Sequence, residues 1–460
     1  DTTASGMDFT FKRADDAVEP VVTTVASSTS TRTVTDDTRE TSTTTEEEDD
    51  EEESTATSTG TATTTTATTM ADLTSTTQTT TILMATTPAP LGEFACSTEY
   101  TLPSTSRMLS KGLCVDDTTF EHCPGKIPGI WPNAGSERVT SLRLFKPWHP
   151  SWGNEAERRR VWNSLVVWTR VNNARILIGT EVTCDSTADD ELWLWTLELM
   201  SLLGKDHVMG VAVGNEMDLF KDTEASKEGN CNVELWNGRY WETLQKRVLD
   251  MDLNGFTETP ITIVWSMSVL GSTYSAFRDD EGAMVNTLVT KAYQKWGSRW
   301  VWSFNTYAIW DRSVWPTSKE DCSQKVADVV RMEPIKSLLR TSRKRVKMIT
   351  GRDDDPIWVG ENGWSSPAPT SVSDAMPFCP EFWSVDTFRK AYSNFMNWDL
   401  SVGGGLRGPD HAFYFAVRDS SNTGLPESFG LIASCSTDAC KIKREPDDQD
   451  EGDIPANLLV

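Results

Sequence analysis

Eight short apolar runs, interleaved with segments of helical period, predict an α/β fold: a (β/α)8 TIM barrel over residues 95–445. Three observations support it. The runs recur roughly every 30–57 residues, enough for the ~30 that each βαβ unit needs. Several are apolar nearly throughout, as parallel strands buried on both faces must be. All 19 Trp fall between Trp131 and Trp398, so the material for a large core sits in this central block.

The predicted strands are Lys111–Val115, Ser141–Phe145, Ala174–Thr180, Val208–Asn215, Ile261–Ser266, Trp300–Asn305, Pro356–Glu361 and His411–Val417. Between them, Asn154 is a helix N-cap, with Glu155 and Glu157 in the first turn. Val161, Leu165 and Trp168 then recur at helical spacing. Val285, Leu288, Val289, Ala292 and Trp296 form a second apolar stripe, and Val385, Phe388, Tyr392 and Phe395 a third. A doubly wound open sheet is the rival architecture. Its dinucleotide pattern is matched by GGGLRG at Gly403–Gly408, but that segment precedes the last strand, where a glycine-rich turn is expected. The basic run Arg340–Lys347 reads as a solvated helix end.

Charge separates this block from its flanks. Residues 1–90 carry 17 acidic and 4 basic side chains, and 446–460 five acids and no base. Residues 1–94, rich in Thr and Ser with an acidic run at Glu46–Glu53, are too polar to bury a core; a disordered stalk or linker is expected, and a second disordered tail at 446–460. O-glycosylation of the first is one reading and a plain solvated linker the other. Lys12-Arg13 is a candidate processing site. The chain opens on Asp1, which fits either a removed leader or a fragment.

A net charge of −25 argues against a nucleic-acid partner, which needs clustered Lys and Arg. No run of about 18 apolar residues predicts a membrane span. The nine cysteines contain no Cys-x-x-Cys, and the four His no His-x-x-x-His, so no metal site is expected. Disulfides in a secreted enzyme and scattered buried thiols both remain open, and the odd count leaves at least one thiol unpaired within the chain. No P-loop or Gly-x-Ser-x-Gly elbow occurs, and no cofactor is expected.

Two strands end on a carboxylate. VMGVAVGNEMD closes on Asn215-Glu216, and DPIWVGENGWSS on Glu361. A charge ending an apolar strand is costly unless it reaches solvent or a partner. In such barrels the strand C-termini carry the chemistry. About three βα units separate the two, which puts them on the fourth and seventh strands, facing across the mouth. Facing carboxylates suit glycoside hydrolysis: one protonates the leaving oxygen, the other attacks the anomeric carbon or activates water. Glu181 and Asp311, near the ends of the third and sixth strands, are other carboxylates expected only to tune the cleft.

These segments resemble glycoside hydrolase family 17, retaining β-1,3-glucanases and glucanosyltransferases on a (β/α)8 barrel. GVAVGNEMD is similar to the family's acid/base strand and IWVGENGWSS to its nucleophile strand. SLRLFKP, SFNTYAIW and FYFAVRDSSNTGLPESFGLI resemble its second, sixth and last strands, so the resemblance spans most of 105–435. It implies Glu216 as acid/base and Glu361 as nucleophile. Asn215 would bond the sugar 2-hydroxyl and Tyr307 would orient Glu361. Trp364 and Trp310 offer sugar-stacking faces or core packing, and Arg143 braces the carboxylates or forms a structural ion pair. Glu427 is a candidate substrate contact at the rim. Phe145, Asn362 and Ser420 depart from the family's usual Tyr, Thr and Glu, and no Lys lies between Asp419 and Glu427.

The expectation is therefore a retaining β-glucan hydrolase, foremost an endo-1,3-β-glucanase, monomeric and extracellular or at the cell surface, with a β-glucan polysaccharide or oligosaccharide as its partner. The alternatives are a β-1,3-glucan transglycosylase, an inactive carbohydrate-binding cell-wall protein, and an intracellular hydrolase with reduced cysteines.

Overall fold

Eight parallel strands pair in chain order, and the first bonds back to the eighth to close a barrel. They are β1 (Lys111–Val115), β2 (Ser141–Leu144), β3 (Arg175–Thr180), β4 (Val208–Asn215), β5 (Ile261–Ser266), β6 (Trp302–Asn305), β7 (Ile357–Asn362) and β8 (His411–Tyr414). This is the expected (β/α)8 fold. The structure, a computed structural model, describes residue 96 and residues 101–149, 151–220, 230–279, 283–420, 427–436 and 440–443. The expectations for 1–94, Lys12-Arg13 and 446–460 lie outside the described residues.

Strand bounds differ from the sequence reading where backbone groups find other partners. β7 starts after Pro356, which has no N–H to donate; its carbonyl accepts from Trp302 N at 3.0 Å. β6 starts two residues late because Trp300 N closes a turn onto Gly297 O at 3.0 Å. β8 stops at Tyr414, since Ala416 N turns to Phe429 O and Leu431 N returns to Ala416 O. The end of that apolar run thus pairs with the chain returning through 427–432.

Helices flank the strands as their patterns require. Asn154 caps helix Glu155–Asn172 through Glu157 N at 3.1 Å, and Val161, Leu165 and Trp168 are buried. Helix Val285–Trp296 buries Val285, Leu288, Val289 and Ala292, while Trp296 is only half-buried. In helix Val385–Asn397, Phe388, Tyr392 and Phe395 are buried and Val385 is exposed.

The basic run corrects its expectation. It lies in helix Glu333–Thr350, but Arg343 is buried and donates to the carbonyls of Arg407 (3.2 Å), Gly408 (3.1 Å) and Asp355. Arg340 donates to Val402 O at 2.7 Å. These arginines hold the glycine-rich turn, whose Gly403, Gly404 and Gly405 all have positive φ.

Disulfides join Cys96–Cys440, Cys123–Cys435, Cys184–Cys231 and Cys322–Cys379, leaving Cys114 as a buried free thiol. No helix among the described residues is long and apolar enough to cross a membrane.

Three ladder irregularities cluster near the C-terminal ends of the strands: at Ala212/Asn215 between β4 and β5, Phe304/Asn305 between β6 and β7, and Val359/Asn362 between β7 and β8. Such bulges re-aim side chains, often beside active sites. Here they flank Glu216 and Glu361.

Candidate active site

Four strand ends meet in one polar cluster at the barrel mouth. Arg143 of β2, 1% exposed, donates through Nη1 to Glu361 Oε1 at 2.8 Å and to Asn305 Oδ1 at 3.0 Å. Its Nη2 donates to Asn215 Oδ1 at 2.7 Å. Asn305, closing β6, donates from Nδ2 to Glu216 Oε1 at 2.8 Å and to Glu361 Oε1 at 2.9 Å. Tyr307 Oη donates to the other carboxylate oxygen, Glu361 Oε2, at 2.5 Å. Glu216, Glu361, Asn215, Arg143 and Tyr307 are thus brought together.

Backbone geometry makes room for this cluster. Gly360 lies directly beneath it: a Cβ there would fall 2.6 Å from Val264 Cγ1, 2.8 Å from Asn305 Oδ1 and 2.9 Å from Arg143 Nη1. Any side chain would push the arginine and the asparagine off the carboxylates. Aromatic rings close the sides. Tyr307 packs edge-on to Phe415 and Phe429, with centroids 6.2 and 5.2 Å away, and the Arg143 guanidinium lies over Phe145 at 4.5 Å.

The two carboxylates differ in surroundings. Glu361 is 6% exposed and receives three donors, one of them cationic. Glu216 keeps part of its surface open, yet it lies deep in the mouth and accepts from neutral Asn305. Desolvation first, then the charge of Glu361, pushes its carboxyl up from 4.5 to about 8. Burial, aided by Glu361, also raises the Tyr307 phenol well above its usual value, so it remains a donor.

The remaining expected residues lie further out. Trp310 is half-buried at the end of the turn Ala308–Trp310 after β6. Glu427 is half-buried, exchanges two 2.9 Å backbone bonds with Ser420, and is near enough to Tyr307 for its charge to be felt. Trp364 corrects its expectation as a stacking platform. It is 3% exposed, its indole N–H donates to Phe382 O at 2.9 Å, and its ring packs on Phe382, so it serves the core. Glu181 bonds Lys146 at 2.5 Å, and Lys146 also reaches Asp117 at 3.3 Å. Burial raises Asp117 to about 7 against the pull of Lys146. Asp311 caps a short turn through Ser313 N at 2.9 Å.

Sequence reasoning missed two parts of the cluster. Asn305 was signalled only as the Asn two before Tyr307 in SFNTYAIW, the segment that resembles the family's sixth strand, and no role was attached to it. Gly360 gave no signal beyond preceding Glu361. Asp419 is paired from downstream, since Lys441 Nζ reaches its Oδ1 at 2.6 Å. Among the described residues, the one group with metal-ligand proximity is Cys322, Cys379 and Glu381, and its two cysteines are bonded to each other.

No protein-family model and no curated protein matches this chain. Among solved structures, it is similar to one of two plant β-glucan endohydrolases with distinct substrate specificities. That match covers 64% of this chain and 87% of the other, at 14% identity and a TM-score of 0.39. An active-site mutant of a Rhizomucor miehei β-1,3-glucanosyltransferase in complex with laminaritriose matches over 68% of this chain and 86% of its own, at 14% identity and 0.38. A family 1 β-glucosidase from Thermotoga maritima matches over 74% and 96%, at 10% identity and 0.41. At this distance none of them assigns a function to the chain.

Proposed function

We propose that this protein is a retaining glycoside hydrolase acting on β-glucan, with endo-1,3-β-glucanase as the specific activity. One observation carries the reading: Asn305 Nδ2 bonds both carboxylates at once, at 2.8 and 2.9 Å. Those bonds hold the two accepting oxygens no more than about 5.7 Å apart, which supports the ~5–5.5 Å spacing of retaining enzymes over the ~6.5–9.5 Å of inverting ones.

The chemistry follows from the unequal surroundings. Glu216, protonated up to about pH 8, gives its proton to the glycosidic oxygen as the bond to the anomeric carbon breaks. Glu361, aimed by Arg143, Asn305 and Tyr307, attacks the same carbon and forms a glycosyl ester. Glu216, now a carboxylate, takes a proton from water, which attacks the anomeric carbon and releases Glu361. Two displacements restore the β configuration. Asn215 spends its Oδ1 on Arg143 and Asn305, which leaves its amino group to donate to a sugar 2-hydroxyl. Trp310 and Glu427 would contact the glucan further along the cleft. The preference for 1,3 linkages rests on the family resemblance. Four disulfides favour an oxidising compartment, so an extracellular or cell-surface location belongs to the same proposal.

The test is release of reducing sugar from a β-1,3-glucan by the full chain, beside Glu216→Ala and Glu361→Ala. Activity in the parent with large losses in both variants supports mechanism and linkage together. Cleavage of another β-glucan alone would move the linkage assignment, and a folded parent that cleaves none would overturn the reading.

A further inference from the structure

β4 leaves the barrel through a turn that needs an outside hold. Its ladder with β5 passes from Ala212↔Thr262 to Asn215↔Val264, so β4 carries one more residue than its partner. Gly214 absorbs the excess at φ 91, where a Cβ would lie 2.5 Å from Tyr240 Oη. Glu216 follows at φ 49, in the left-handed region that few non-glycine residues adopt. A residue held there needs its surroundings to fix it.

The end of β5 provides the fixing. Glu216 N donates to Val264 O at 2.7 Å. Two residues on, Asp218 is 7% exposed and accepts three bonds: from Ser266 N at 3.0 Å, Ser266 Oγ at 2.6 Å and Ser268 Oγ at 2.8 Å. Both sides of the turn are therefore fastened to the same strand end. We infer that Asp218 is a positioning residue for Glu216, stapling the acid's turn to the tip of β5. The inference rests on the reading of Glu216 as acid/base.

Asp218 also places negative charge beside the acid. Burial and Glu361 act most strongly on Glu216, and Asp218 adds to them in the same direction, while Arg143 opposes. The groups acting on Glu216 are Arg143 from β2, Asn305 closing β6, Glu361 from β7 and Asp218 on its own turn, with Tyr307 beyond, bonded to Glu361. Tyr240 lies behind, donating to Val213 O at 2.7 Å, and Arg278 lies near Asp218. Removing the charge at position 218 while keeping its shape should release the proton of Glu216 at lower pH.

The experiment measures kcat/KM against pH for the full chain and Asp218→Asn, on a β-glucan oligosaccharide and on 2,4-dinitrophenyl β-glucoside. The second leaving group departs without a proton. The expected result is a loss of roughly tenfold or more on the oligosaccharide and a much smaller one on the dinitrophenyl substrate, with the basic limb moved down by about half a unit or more. Equal losses on both substrates with an unmoved limb would overturn the inference. Should Asp218→Asn fail to fold, Ser268→Ala removes one donor and keeps the charge; it should lose more on the oligosaccharide than on the dinitrophenyl glycoside, and equal losses would again count against the staple. If the parent cleaves neither substrate, the acid/base reading fails on its own. Carbon-13 titration of the Glu216 carboxyl, assigned with Glu216→Gln, then decides separately: a lower midpoint in Asp218→Asn supports the coupling and an unchanged one contradicts it.

Discussion

Glu216 and Glu361 have the same side chain and share one asparagine, yet only Glu361 meets a cation and a phenol. On the proposed reading that inequality divides the labour between them, and it gives a pH signature. With Glu216 raised to about 8, kcat/KM on an unactivated glucan should fall as pH rises through about 8, because the acid has lost its proton. Glu216→Ala should lose ~10²–10⁴-fold on that substrate, the usual share of general acid catalysis, and regain turnover of an activated glycoside when azide is added. A basic limb well below 7 would contradict the assignment. At this scale the two Glu were legible because a charge closing an apolar strand demands a reason. Asn305 was not, because a neutral amide at a strand end is commonplace and its role exists only once β6 and β7 lie side by side. The packing of Trp364 was also illegible: whether an indole faces a cleft or Phe382 depends on a segment 18 residues away.

Elements were legible where one periodicity ruled. β1, β4 and β5 have the expected bounds, since runs buried on both faces are read directly from apolar continuity. β6, β7 and β8 shifted where a turn, a proline or a returning segment claimed the terminal backbone groups. The basic helix misled for another reason: composition alone cannot show which arginine of a run turns inward. Arg343 satisfies three carbonyls of the connections on either side of β7. Arg343→Ala should cost about 2–4 kcal/mol, since it leaves buried carbonyls unpaired. Urea unfolding measures this, and a change under 0.5 kcal/mol would show the bonds to be incidental.

At the largest scale, the described residues form a barrel whose closing segment, after β8, is bonded back to the segments that flank β1. Cys96–Cys440 and Cys123–Cys435 close loops over sequence separations of 344 and 312 residues, the kind of closure that most restricts an unfolded chain. The nine cysteines are plain in the sequence but their pairing is not: these two bridges depend on β8 returning beside β1, and Cys184–Cys231 and Cys322–Cys379 on the connections after β3, β4, β6 and β7 coming together. Peptide mapping without reduction should recover the four bridges and one free thiol at Cys114. That thiol, buried and raised well above its usual value by burial first, should resist alkylation in the native protein and react in denaturant. Reduction should lower Tm while leaving the residues of the cluster around Glu216 and Glu361 chemically unchanged.

The central claim is that Glu361 forms a covalent bond to the sugar while Glu216 handles the proton. A 2-deoxy-2-fluoro β-glucosyl or laminaribiosyl fluoride slows release of such an intermediate, and mass spectrometry of the digested protein then locates the label. The prediction is stoichiometric labelling of the peptide carrying Glu361, none in Glu361→Ala, and release on adding an acceptor sugar. Turnover without any covalent species, or a label on Glu216, Glu181 or Glu427 instead, would contradict it.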